Sequence, residues 1–211
     1  MISTRHRFIF IHVPKTAGNS VQEILLPFSD DVKTQTAHQD GTERFGLSGA
    51  VTKRKHAMLR DYEDALGPEA LSSYAKFCVV RNPWERALSH YFSPHRWMAQ
   101  TASGFAPVSP VWDEEQFLSL LGELKPACHY MSDRSGAYRA DFVLRFETLA
   151  EDFAQAHARL GLPGPAALPH RNRRADSYSL ALYENSPLLA DAVAEAMADD
   201  VARFGYAPPA A

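Results

Sequence analysis

Three short stretches of the chain are mostly apolar and rich in Phe, Ile and Val: Arg7–Val13 (RFIFIHV), Lys76–Val80 (KFCVV) and Asp141–Phe146 (DFVLRF). Each predicts a buried strand. Helical spacing takes over after each one. Beyond the turn Pro14–Gly18, the apolar residues Val21, Ile24 and Leu25 recur on one side of a helix. Asn82 is a good N-cap, and Pro83 suits the first helical position, where its missing N–H would have no partner anyway. At ~100° per residue, Trp84, Ala87, Leu88, Tyr91 and Phe92 then share one flank of a helix over Pro83–Phe92, with Arg86, Ser89 and Ser93 on another. Thr148 and Glu151 have the spacing of a capping box for a helix ending at Gly161, with Pro163 just beyond. A last helix starts near Ser186–Pro187, buries Leu189, Val193, Met197, Val201 and Phe204, and stops at Gly205.

Strands alternating with helices predict an α/β fold: a central, mostly parallel sheet with helices on both faces, three layers in all. No linker or repeat divides the sequence, so residues 1–211 are expected to form one domain. Ala99–Pro110, rich in Ser, Ala, Gly and Pro, reads as a surface loop. In sheets of this kind ligands sit at the carboxyl ends of the strands, which directs attention to the segments after Val13 and after Val80.

Composition narrows the classes. With 45% hydrophobic and 22% charged residues the chain is of ordinary globular type, and no apolar stretch is long enough to span a membrane. Arg5 and Arg7 before an apolar run imitate a signal peptide, but the run is too short for export. Two cysteines, Cys78 and Cys128, make no disulfide framework and show no metal-ligand spacing; a cytoplasmic protein is expected. The net charge of −3 argues against a nucleic-acid binder. Residues 1–110 nevertheless hold 13 Lys and Arg against 10 Asp and Glu, while residues 111–211 hold 9 against 15. A locally basic first half in an acidic protein suits a small anionic ligand.

Such a ligand has a natural place in Pro14-Lys15-Thr16-Ala17-Gly18-Asn19-Ser20. A turn of small residues between a strand and a helix presents unpaired N–H groups and the positive end of the helix dipole to an anion. Lys15 adds a mobile charge, and Thr16, Asn19 and Ser20 add side-chain donors. It is not a Walker A loop, which needs its lysine after the second glycine; here Lys15 precedes the turn's only one. The other reading of the turn is an ordinary strand-to-helix connection with Ser20 and Glu23 capping the helix. At the second strand end, an Arg81 fork and the Ser89 hydroxyl could grip a second phosphate; each taken singly could equally be a surface residue.

The two segments Phe10–Ser20 (FIHVPKTAGNS) and Phe77–Phe92 (FCVVRNPWERALSHYF) resemble the two donor-binding motifs of sulfotransferases that use 3′-phosphoadenosine 5′-phosphosulfate. The resemblance is greatest to the carbohydrate sulfotransferases, with their PKTAGTS and RNPWDRLVSLY patterns. Lys55-His56-Ala57, Asp141–Leu149 and Asp200–Tyr206 fit the same group. The resemblance implies a P-loop-like fold and transfer of a sulfuryl group to a hydroxyl, on a carbohydrate or glycoconjugate. It implies that Lys15, Thr16, Ala17, Gly18, Asn19 and Ser20 hold the 5′-phosphosulfate and that Arg81 and Ser89 hold the 3′-phosphate. Asn19 stands where the pattern has threonine and still donates a hydrogen bond. Lys15 would stabilise the departing oxygen, and His56, which follows Lys55 just before a helix over Met58–Leu66, would take the hydroxyl proton. A surface histidine is the competing reading of His56, and an acidic base stays open. His12 is expected to buttress the first turn. No metal is expected. His170–Arg174 (HRNRR) is a basic loop that could close over the nucleotide or be a solvated charge cluster. Arg145 and Glu147, flanking Phe146, are expected to share a strand face and pair. The acceptor site is expected from Ser29–Thr52 and Trp97–Trp112.

A kinase of the P-loop type would need a Walker A lysine and a magnesium-binding Asp after an apolar strand, and shows neither. A nucleotide-binding module without catalysis would keep affinity and lose turnover.

Overall fold

All three apolar runs are strands, and they lie side by side. In the computed structural model, which describes residues 1–37, 43–93, 96–102, 104–166, 168, 180–184 and 186–209, the first half of the chain contains β1 (Ile2–Ser3), β2 (Phe8–Ile11), α1 (Gly18–Leu25), β3 (Val32–Ala37), β4 (Glu43–Ser48), α2 (Leu59–Leu66), α3 (Pro68–Ser72), β5 (Ala75–Val80) and α4 (Pro83–Tyr91). The second half contains β6 (Met98–Thr101), β7 (Gly104–Pro107), α5 (Glu114–Leu121), α6 (Ala127–Tyr130), β8 (Phe142–Arg145), α7 (Leu149–Arg159), α8 (Ala181–Glu184), α9 (Pro187–Ala196) and α10 (Ala198–Phe204). The central sheet has the order β1-β2-β5-β8. β2, β5 and β8 are parallel, with Ile11 opposite Cys78 and Val80 opposite Arg145; β1 is the one antiparallel edge. This is the expected α/β fold with a mostly parallel central sheet flanked by helices.

By contacts the chain divides into two compact units. The first comprises Met1–Thr34, Phe45–Arg81 and Ala127–Arg173 and contains the central sheet. On one sheet face, Phe8 and Phe10, Phe77 and Val79, and Leu144 pack with Val21 and Leu25 of α1 and with Phe153 and Ala156 of α7. Phe77 is the hub, its ring 4.8 Å from Phe142, 5.3 Å from Phe10 and 6.1 Å from Phe8. The alternate residues Ile9, Ile11, Cys78 and Val80 are just as dry. Burial on both faces is why these strands read as continuous apolar runs instead of alternating ones.

The second unit comprises Gln35–Arg44, Asn82–Pro126 and Arg174–Ala211. Its core joins Trp84, Ala87, Leu88 and Tyr91 of α4 to Phe117 and Leu121 of α5, Leu189 and Val193 of α9, and Met197. Trp84 Nε1 donates to Ala190 O at 3.0 Å, and Tyr183 donates its hydroxyl to Trp84 O at 2.9 Å. The Asn82 side chain caps α4, accepting from the N–H groups of Trp84 and Glu85.

Several local expectations are corrected. Arg86 and Ser93, on the other flank of α4, are buried as well, and Arg86 Nη1 lies 3.7 Å from Asp200 Oδ2. Trp97 also joins the second core, donating from Nε1 to Tyr91 O at 2.8 Å. The last helix is two, broken at Met197. Ala99–Pro110 contains most of an antiparallel hairpin, β6 and β7, rather than loop alone. The Thr148 capping box does not form: Asp152 instead accepts from Thr148 Oγ1 and from Arg145 N–H. Because β8 ends at Arg145 and Phe146–Thr148 is a 3-10 turn, Arg145 and Glu147 do not share a strand.

Candidate functional site

The parallel register brings the ends of β2, β5 and β8 together, so the turns that follow them emerge at one edge of the sheet. After β2 the chain makes a tight, strained turn. Thr16 is fully buried and donates its hydroxyl to Val13 O at 2.8 Å, and Ser20 N–H bonds Ala17 O at 3.0 Å. Between them Lys15 (φ 69°) and Ala17 (φ 64°) both sit in the left-handed region, where each non-glycine residue costs ~1–3 kcal/mol. Among the described residues only Arg7 shares this feature. Two such residues in three positions, leading directly into a helix, turn successive N–H groups toward one concavity, a form of backbone that binds anions. Thr16 contributes to it by its N–H alone, since its hydroxyl hydrogen is used inside the turn. Asn19, in the first turn of α1, keeps its side-chain oxygen buried without a hydrogen-bond partner; its amide N–H groups are what it can offer an anion.

Gly18 has no positive φ. Glycine is required there by close approach: a Cβ would stand 2.1 Å from His12 Cδ2 and 2.4 Å from His12 Nε2. The His12 ring is buried at the end of β2, with Nδ1 2.8 Å from Gln22 Oε1 on α1. Burial, and the neighbouring His56 and Lys55, push its pKa well below the ordinary imidazole value, so it is neutral at pH 7.

His56 stands over His12, their ring centroids 4.4 Å apart, edge to face. Its Nδ1 is 3.0 Å from the carbonyl oxygen of His12. A carbonyl cannot donate, so Nδ1 carries the hydrogen and, in the neutral ring, Nε2 is the basic nitrogen. The residue keeps substantial exposed surface, yet the protein packed around the ring lowers its pKa, and Lys55 and Lys15 lower it further against the hydrogen bond to His12. A neutral imidazole with a free Nε2 beside the Lys15 charge is fitted to accept a proton at neutral pH.

Arg81 follows β5. Because Val80 lies opposite Arg145, the next residues on the two strands are Arg81 and Phe146. The guanidinium carbon lies 4.0 Å from the centre of the Phe146 ring, and Nη1 reaches Lys15 O at 3.5 Å. The structure therefore brings Lys15, Thr16, Ala17, Gly18, Asn19, Ser20, His56 and Arg81 into the first unit. Ser89, half-buried on α4, belongs to the second. His170–Arg174 lies outside the described residues. No cluster of His, Cys, Asp and Glu suited to a metal ion occurs among the described residues, and none of their helices is long and apolar enough to cross a membrane.

Residues 1–104, which include both turns, match the model of the sulfotransferase family. Over that segment, just under half of the chain, the sequence is similar to the sulfotransferase family. No curated protein and no solved structure matches the chain. Two residues that shape this candidate site were not legible in the sequence. Gln22 looks like any polar residue of α1 until His12 is placed beside it, and Phe146 becomes the platform for Arg81 only through strand register.

Proposed function

We propose that this protein moves the sulfuryl group of 3′-phosphoadenosine 5′-phosphosulfate to a hydroxyl of a carbohydrate or glycoconjugate by in-line displacement. The observation that supports it most directly is the pairing of the strained Lys15–Ala17 turn with a neutral His56 whose basic Nε2 is fixed by the His12 carbonyl. The acceptor oxygen forms a bond to sulfur while the bond from sulfur to the bridging phosphate oxygen breaks. The acceptor proton passes to His56 Nε2. Charge growing on the bridging oxygen is met by the Lys15 ammonium, and the N–H groups from Thr16 to Asn19, with the Ser20 hydroxyl, hold the phosphosulfate oxygens. Arg81, with Ser89, takes the 3′-phosphate, the guanidinium being pre-set against Phe146. Lys15 covers the leaving side, and a sulfuryl group carries less charge than a phosphoryl group, so we assign no metal a role.

We take residues 1–211 as one catalytic domain working in the cytoplasm, a compartment in keeping with two buried cysteines that form no disulfide. The deciding experiment is a thermal shift with adenosine 3′,5′-bisphosphate against ADP. A ligand at about 100 times its dissociation constant raises stability by ~2.7 kcal/mol. Stabilisation by the 3′,5′-bisphosphate and not by ADP is expected; preference for ADP would overturn the assignment. Turnover of labelled donor separates an enzyme from a silent nucleotide binder. Lys15→Ala should lower that turnover by ~100-fold or more, whereas Arg81→Ala should act mainly on nucleotide affinity.

A further inference from the structure

His12 lies between the start of α1 and His56, in contact with both. Its ring lies where a Cβ on Gly18 would be, so it sets how closely the start of α1 approaches the end of β2. Its Nδ1 is tied to Gln22, one turn further along α1 and fully buried. Its own carbonyl holds Nδ1 of His56, and the two ring centroids lie 4.4 Å apart, edge to face. We propose that His12 is a positioning residue: held by Gln22, its ring is the spacer that fixes the plane of His56, and hence the place of Nε2, relative to the donor-binding turn. This rests on the sulfotransfer mechanism given above. It assigns His12 no proton transfer and no contact with donor or acceptor.

The physical basis is geometric. A general base helps only within hydrogen-bond reach of the proton it removes. His56 is held at Nδ1 by one backbone bond, which leaves the ring free to rotate about that contact, and packing against the His12 ring removes this freedom. Because His12 also packs on Gly18, the base and the anion-binding N–H groups share one rigid reference. The lysine charges facing the pair are the ammonium groups of Lys15 and Lys55, and they add to burial, the larger cause, in holding both rings deprotonated. Both rings are accordingly kept neutral, as a spacer and a base require.

The test uses the full chain carrying His12→Ala or His12→Asn, with Gln22→Leu as a variant that keeps the ring and removes its anchor. Nitrogen-15 NMR of the His56 ring, recorded without donor, reports its tautomer and its titration. In His12→Ala, His56 should lose its single Nδ1–H tautomer and titrate closer to an ordinary imidazole. In the same variant kcat should fall by about 100-fold, the size expected when a reacting group is misplaced by about 1 Å, with little change in affinity for adenosine 3′,5′-bisphosphate. His12→Asn, whose amide can still donate to Gln22, should recover much of the rate. Gln22→Leu should move both readouts in the direction of His12→Ala. A His56 signature unchanged in His12→Ala and in Gln22→Leu would overturn the assignment. So would losses of kcat and nucleotide affinity that run in parallel, which would make His12 only a support for the turn. If the wild-type chain transfers no sulfuryl group at all, the mechanism fails; the NMR signature still decides whether His12 orders His56.

Discussion

At the scale of single residues, the first turn is a place where packing overrules local preference. Lys15 and Ala17 adopt backbone angles that glycine would take without strain, whereas the glycine of the turn, Gly18, sits where no positive φ is needed. His12, six residues earlier, explains the exchange, because its ring occupies the space of the absent Cβ. Gly18→Ala should therefore push His12 aside. We expect a loss of ~1–3 kcal/mol in stability, as for other overpacked sites, measured by urea denaturation, together with a fall in turnover larger than that of a surface Gly→Ala change. The sequence motif marked this turn through its small residues and its lysine. The reason for the glycine could not be read there, since it depends on a side chain from the preceding strand. The pH profile belongs at this scale too. His56 acts as the neutral ring and is inactivated by protonation. With its pKa lowered by its surroundings, kcat should hold as pH falls through the ordinary imidazole value of ~6.5 and decline only below it. A decline centred above that value would remove His56 as the base.

At the scale of elements, legibility followed burial. β2 and β5 are covered on both faces, and β8, at the edge, is half-buried, so their apolar runs were legible; their ends, cut by polar residues, were placed within one or two positions. α4 was legible from its cap and its apolar flank, and Asn82 does accept from two N–H groups of the first turn. Asn82→Ala should cost ~1 kcal/mol, the usual value for a lost cap, seen as a lower denaturation midpoint with an unchanged slope. The ribbons were not legible. β3 and β4 (VKTQTA and ERFGLS) carry few apolar residues, and β6 is largely exposed, so neither pattern shows a strand with a buried side. The Thr148 box failed for a local reason: Asp152, one residue after Glu151, accepts from both Thr148 and Arg145 and so joins α7 to the end of β8.

At the scale of the whole molecule, the chain builds two separate apolar cores from interleaved segments, and its least legible feature is the ion pair in the second. Nothing in the sequence marked Arg86 as buried, because its partner, Asp200, lies 114 positions away and no local pattern joins them. Both side chains are almost wholly buried, 1% and 4% exposed. Taking two charges out of water offsets much of their attraction, so the pair itself need add little net stability, but removing one member strands the other. Arg86→Met should thus cost ~3–5 kcal/mol, a large share of the ~5–15 kcal/mol that holds a typical domain folded. The double variant Arg86→Met with Asp200→Leu should regain most of that loss, because no buried charge remains and the volumes are roughly kept. Urea denaturation of wild type, both single variants and the double variant closes the cycle. A double variant no more stable than Arg86→Met alone would mean that the stranded Asp200 charge is not the source of the loss, and that Arg86 acts through its contacts with Met197 and the surrounding helices instead.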